Sequence, residues 1–191
     1  LFIGAAVNAF AAQVYVNSAS ELNNAIINAV NGGTITITKD FAADANISAI
    51  NNLKVSIGKD GTTDYFLSGN NSYGGFAIAN STVSINGINL SGFRKSDYGG
   101  ALYAVSSTIK YTGNNIILSN NICSNAPIGS NVFGYVYGGA VYSESSANTF
   151  VSSGVIKFSN NSAAGSGSGH ASGSGSGGAV YSVSSTNTFV S

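Results

Sequence analysis

Fifteen residues return almost unchanged toward the end of this chain. GGAVYSESSANTFVS at 138–152 reappears as GGAVYSVSSTNTFVS at 177–191, with thirteen positions identical. A looser copy, GGALYAVSSTIKY, begins at Gly99, so the copies start at 99, 138 and 177, a step of 39 residues taken twice. A fixed interval of this size marks one supersecondary unit built several times and buried against its own neighbours. Stacking the units widens the pattern. GGFAIANSTVSINGINLSGF (74–93), GGALYAVSSTIKYTGNNIILSNN (99–121) and GGAVYSESSANTFVSSGVIKFSNN (138–161) each hold three short strand-like runs, about one coil of a solenoid. The variable pieces RKSDY (94–98), ICSNAPIGSNVFGYVY (122–137) and SAAGSGSGHASGSGS (162–176) fall at one corner, where loops leave the ladders intact. No coil of this kind stands alone. Its few inward side chains supply about 1.5–3 kcal/mol each, against roughly 1–2 kcal/mol of backbone entropy for every residue ordered.

The rest of the composition agrees. Charged residues are 7% of the chain, seven acidic cancelling seven basic, and there is a single proline. A neutral, turn-rich, β-branched chain fits a repetitive β protein rather than a disordered one. A net charge of zero gives no electrostatic footprint for nucleic acid, so no nucleic-acid partner is expected. Residues 1–12 read as the remnant of a secretory signal, with apolar Leu1–Val7 before an A-x-A-like site at Ala9-Phe10-Ala11. The alternative for that stretch is a buried strand or helix; it is too short to span a bilayer. Cys123 stands alone, so no disulfide is expected.

Residues 13–33 are expected to form an N-terminal strand and a capping helix. Ser18 or Ser20 can open that helix, Leu22, Ala25, Ile26, Ala29 and Val30 line one face, and Gly32 stops it, giving a helix over Ser20–Val30. TITIT (Thr34–Thr38) then alternates as a strand, and no helical signal returns. The fold class expected is all-β: a right-handed single-chain parallel β-helix, a pectin-lyase-like solenoid, over 34–191. Ser191 falls within a coil, so the solenoid reads as truncated at its C-terminal end, which leaves end-to-end self-association open.

Columns read through the aligned units assign the strand faces. Phe76/Ala101/Ala140/Ala179 come first, then Ala77/Leu102/Val141/Val180, then Ile78/Tyr103/Tyr142/Tyr181. Two positions on, Asn80, Val105, Glu144 and Val183 share a column, and one that admits Glu and Asn faces water. Period-two alternation then turns Tyr103, Tyr142 and Tyr181 outward and Leu102, Val141 and Val180 inward. Exposed rings at regular spacing make Tyr103, Tyr142 and Tyr181 a candidate binding face for protein or glycan; a corner loop covering them is the alternative. The same count from Leu118 and Phe158 puts Asn120 and Asn160 inside, where their amides can form a ladder between coils. Ordinary turn asparagines are the other reading.

These residues resemble a known family. GGA followed by Leu or Val (Gly99–Leu102, Gly138–Val141, Gly177–Val180), alternating with FSNN (Phe158–Asn161), is similar to the paired GGA[ILV] and FxxN motifs of the chlamydial-type polymorphic outer-membrane proteins. The resemblance covers residues 74–191. LSNN at 118–121 has Leu for Phe, and LSGF at 90–93 lacks the Asn. Members are autotransporters whose passengers form right-handed parallel β-helices. The resemblance therefore implies export to the bacterial outer membrane or cell surface, or secretion. It also implies a non-catalytic, adhesin-like passenger, a rigid stalk and binding surface for a host or neighbouring-cell surface protein or glycan. Membrane contact would come only through a C-terminal barrel that is not among these 191 residues.

The rival of a different class is a polysaccharide-active β-helix enzyme of lyase or glycoside hydrolase type. Such sites need clustered carboxylates, for Ca²⁺ or for acid and base work. Glu21, Asp40, Asp44, Asp60, Asp64, Asp97 and Glu144 are scattered; only Asp60 and Asp64 are close, in GKDGTTDYF, where a turn accounts for both. Arg94 is the only arginine, and His170 is the only histidine, set in a Gly/Ser linker that cannot hold a catalytic base rigidly. One Cys and one His do not make a zinc site. TITIT occurs once, which gives no lattice for an ice-binding face. No catalytic residue, metal or cofactor is expected.

Overall fold

Ser18 opens the helix, and its hydroxyl accepts from the Glu21 backbone N–H at 3.3 Å while the Glu21 carboxylate accepts from the Asn17 N–H at 2.7 Å. These reciprocal bonds satisfy donors that a helix start leaves free. The computed structural model describes residues 13–125, 134–166 and 173–191. The expected leader remnant at 1–12 and His170 lie outside the described residues. The helix runs Ala19–Ile27, shorter than the expected Ser20–Val30, because Asn28 ends it by bonding back to the Asn24 carbonyl with its own side chain at 2.8 Å. Ala19, Leu22, Ala25 and Ile26 are its buried face and join the main core.

All else that is regular among the described residues is β, and every described strand pairing is parallel. A seven-stranded sheet begins with Gln13–Val16 and Gly33–Ile37 and continues in order through Lys54–Lys59, Thr82–Asn86, Thr108–Gly113, Ala147–Ser152 and Thr186–Val190. The strand at 13–16 thus belongs to the main sheet, not to a separate N-terminal unit. Two five-stranded sheets complete the repeat. One carries Ile50–Asn51, Phe76–Ala79, Leu102–Val105, Val141–Glu144 and Val180–Val183. The other carries Phe41–Ala42, Tyr65–Ser68, Ile88–Ser91, Ile116–Ser119 and Ile156–Ser159. From residue 76 the chain visits these sheets in a fixed rotation, and each strand pairs with its counterpart in the tiers before and after.

The 39-residue step appears directly in the register: Leu102 lies opposite Val141, and Val141 opposite Val180. The earlier unit is displaced by one. Phe76, not Ala77, pairs with Leu102, and Ile78 pairs with Ala104. Ile78 is therefore core, fully buried, and Ala77 takes the place under Tyr103 that the column alignment gave to Ile78. A slip of one residue exchanges the faces of a whole strand, and burial of Phe76 and Ile78 fixes the register. The double glycines misled the alignment, since Gly75 bonds to the Gly100 carbonyl and so stands one position further along its tier.

The insertion corner is also strand, not only loop. Arg94–Lys95, Ile122–Ser124 and Ser162–Ala164 form a three-stranded sheet, and Tyr135–Tyr137 pairs with Ser174–Ser176. Two further seams run along the stack at its corners. Ser81, Ser107, Ser146 and Ser185 form one: the Ser81, Ser107 and Ser146 backbone N–H groups donate to the hydroxyl of the next serine at 3.2, 3.0 and 3.0 Å. The residue before each, Asn80, Ser106, Ser145 and Ser184, is left-handed, with φ between 48 and 49°. The second seam is asparagine.

Candidate functional site

Asn120 and Asn160 are not the ladder. Both are exposed, with φ of 55 and 54°, and they make the bend itself. A left-handed residue breaks the alternation of side chains, so the position inside is the next one. Asn121, fully buried, accepts from the Phe93 N–H at 3.0 Å and donates to the Leu90 carbonyl at 3.2 Å and to Asn161 Oδ1 at 3.1 Å. Asn161 repeats the pattern, accepting from the Asn121 N–H at 2.9 Å and donating to the Leu118 carbonyl at 2.8 Å. The final Asn of the FxxN motif is Asn161, so the motif held the signal that the parity count missed. In the degenerate LSGF, Gly92 takes the left-handed place at φ 61° and Phe93 goes inside.

The tyrosine column is assembled by register. Tyr103 pairs with Tyr142 and Tyr142 with Tyr181, and the rings stack at centroid distances of 5.4 and 5.8 Å with interplanar angles of 22 and 17°. The rings lie on the side away from Leu102 and Val141, and the Tyr142 hydroxyl donates to Glu144 Oε2 at 2.8 Å on that face. Tyr142 is nevertheless only 6% exposed. Tyr98 packs on it at 4.6 Å, and Tyr137 packs on Tyr181 at 4.7 Å. Both come from the insertion corner, immediately before Gly99 and Gly138. Those glycines are at φ 49 and 67°, and a side chain on Gly138 would collide with the Val141 carbonyl. Lys95 Nζ sits 5.0 Å from the Tyr103 centroid. Burial, then the bond to Glu144, holds the Tyr142 phenol well above its ordinary range. The ring faces are thus spent on each other, and what the corner offers outward is mainly edges and hydroxyls.

A more open surface lies on the outer side of the seven-stranded sheet. Tyr15, Thr36, Gly58 and Asn86 stand side by side in register, and Gly58 leaves a gap in their row. The resulting groove is lined by Tyr15, Thr34, Ser56, Ser84 and Asn86, with Asp60 at its edge. Tyr15 is 63% exposed beside it. This surface was not legible in the sequence, because its rows come from strands 20 to 30 residues apart.

Three carboxylates are held by hydrogen bonds of their own. Asp40 accepts from the Phe66 N–H at 2.8 Å, Asp60 from the Tyr65 hydroxyl at 2.7 Å, and Asp64 from Lys59 Nζ at 2.6 Å. Among the described residues no three of His, Cys, Asp and Glu come together so as to hold a metal ion. Nor is any helix among them long and apolar enough to cross a membrane. Comparison with known proteins gives no matching family model, no matching curated protein and no matching solved structure.

Proposed function

We propose that the three sheets are the faces of one right-handed parallel β-helix, and that it serves without catalysis as an adhesin-like passenger of an exported autotransporter. The right-handed sense follows the strong preference of parallel crossover connections. One observation carries the reading. Both elements of the motif pair sit at stacked corners, the GGA[LV] copies with Leu102 on Val141 on Val180 and the [FL]xxN copies with Asn121 on Asn161. A repeat whose marked residues hold neighbouring tiers together builds a stiff rod, and a rod displays its faces. The partner is a surface protein or glycan of a host or neighbouring cell. The groove beside Tyr15 suits a sugar best, offering an aromatic face with hydroxyl and amide groups around it.

Beads coated with the purified chain, added to cultured epithelial cells, test this. Saturable adhesion that soluble chain competes away, and that Tyr15→Ala weakens while Tyr142→Phe does not, is the expected result. Adhesion no better than that of albumin-coated beads would remove the adhesin reading. Release of unsaturated uronate products in calcium would replace it with the lyase.

A further inference from the structure

The chain has ten tyrosines, no tryptophan and no methionine, and its one cysteine is fully buried. Oxidising equivalents that reach it therefore find tyrosine first. Five of the ten meet at the insertion corner, and two of their contacts are copies of one another. Tyr98 against Tyr142 and Tyr137 against Tyr181 are the same pair one repeat apart, at 4.6 and 4.7 Å. In each, a ring held just before a double glycine meets a ring on a strand of the next tier. The planes are tilted by 59 and 40°, unlike the 22 and 17° of the stacked column. Rings stacked from adjacent in-register strands are kept face to face by their backbones. The tilted pairs bring an edge toward a face, and one partner of each lies outside the ladder of the other.

The two pairs differ in one respect. Tyr142 donates its phenolic proton to Glu144, and Val183 occupies the corresponding place beside Tyr181. A phenol that loses an electron must also lose its proton, and a carboxylate already in hydrogen-bond reach can take it.

We propose that Tyr98 and Tyr142 form an oxidative cross-linking site, at which a haem peroxidase using hydrogen peroxide joins the two rings into a dityrosine staple between adjacent tiers. Tyr98, 38% exposed, meets the oxidant; Tyr142, nearly buried, passes an electron to it and a proton to Glu144. A second oxidation of Tyr98 places two tyrosyl radicals in contact. They couple through the carbons ortho to oxygen, and the protons displaced there return to the oxygens and restore both phenols. In sum the two phenols give up two electrons and two protons, and the peroxide takes these up and leaves as two waters.

The test treats dilute purified chain with hydrogen peroxide and a haem peroxidase. The expected product is a monomer lighter by two hydrogens and with dityrosine fluorescence. Trypsin, cutting after Lys95, Lys110 and Lys157, then yields peptide 96–110 joined to peptide 111–157. Fragmentation places the bond between Tyr98 and Tyr142. Tyr98→Phe, which keeps the ring packing, abolishes this product; Glu144→Gln slows it several-fold, and Tyr103→Phe leaves it unchanged. Circular dichroism confirms that each variant is folded. Cross-links found only between molecules, a bond to Tyr137 instead of Tyr142, or equal yield from Tyr98→Phe would overturn the proposal. An unchanged rate in Glu144→Gln would remove the carboxylate from it.

Discussion

Asn161 turns its side-chain oxygen onto Asn121 twice, 2.9 Å from the backbone nitrogen and 3.1 Å from the side-chain nitrogen. Asn121 repeats the first of these bonds toward Phe93. Removing the Asn121 amide strands the Phe93 N–H in the core, at about 1–3 kcal/mol for an unsatisfied group, and takes a second bond from the Leu90 carbonyl. Asn121→Ala is expected to lower the urea midpoint accordingly. Asn120→Gly, at a left-handed position that glycine accepts, should be nearly neutral. Equal losses from the two variants would show that the interior asparagine has been misplaced.

The register between the tiers at 76 and 102 makes a second pair of variants informative. Ile78 is fully buried under Ala104, while Ala77 lies half-buried on the outer side. Ile78→Ala should cost about 2–5 kcal/mol as a cavity, and Ala77→Ser less than about 0.5 kcal/mol as a surface change. Chemical denaturation of both decides it, because the alternative register predicts the reverse order.

These two cases show what is legible in the sequence. The step of 39 residues, the three runs per unit and the inward Leu102, Val141, Ile116 and Leu118 follow from spacing and alternation, which parallel ladders preserve. Alternation fails wherever a left-handed residue turns the chain, as at Asn120 and Asn160, because one residue there does not count as one step. It also gives no warning of a slip such as that at Gly74-Gly75, where a glycine pair looks like its neighbours but stands one place along. The serine seam escaped notice for a related reason. Ser107, Ser146 and Ser185 sit in SS pairs that resemble ordinary turn sequence, and only the stack shows each hydroxyl accepting from the preceding tier's N–H. A corner segment over the tyrosines is the alternative reading of the sequence, and Tyr142 fits it; which ring does the covering is not legible, since Tyr98 reaches Tyr142 from another tier across 44 residues of sequence.

Asp64 gives the chain an acid-sensitive contact. Burial works to raise its carboxyl, but the Lys59 ammonium and the N–H groups of Asn115 and Asn114 outweigh it, and the group titrates below its ordinary 3.8. A carboxyl depressed in the folded state stabilises fully above the ordinary value and loses that contribution as pH falls through the lower folded one. Thermal midpoints measured through that window should fall more steeply for the parent chain than for Asp64→Asn, which lacks the titrating group. Parallel curves would exclude Asp64 as the source.

Cys123 should be inert in the native chain. Burial pushes its thiol up to about 11; the backbone bond from Tyr137 and the charge of Lys95 oppose this, and Asp97 adds to it. The thiolate is the reactive form. Labelling with iodoacetamide at pH 8 is expected to be negligible in buffer and complete in concentrated urea. Because the folded value is raised, any stability linked to this thiol is intact below its ordinary 9.0 and is lost as pH climbs through about 11. Rapid native labelling would mean that the corner where Cys123 meets the Tyr137 backbone opens readily.

The ion pair of Lys59 and Asp64 has a reach that ordinary stacked repeats lack. Lys59 passes over Gly87, where any side chain would strike it, and Asp64 then bonds the backbone at Asn114 and Asn115. The segment therefore bypasses the strand Thr82–Asn86 and fastens to the corner beyond it. In a linear array each layer normally feels only its immediate neighbours, so loss of structure spreads one layer at a time. A second-neighbour tie changes that arithmetic. The layers carrying Lys54–Lys59, Thr82–Asn86 and Thr108–Gly113 are therefore expected to open together, and those of Ala147–Ser152 and Thr186–Val190, which the tie does not reach, to open separately. Amide hydrogen exchange should accordingly divide the molecule into one slow cooperative block followed by a graded slope.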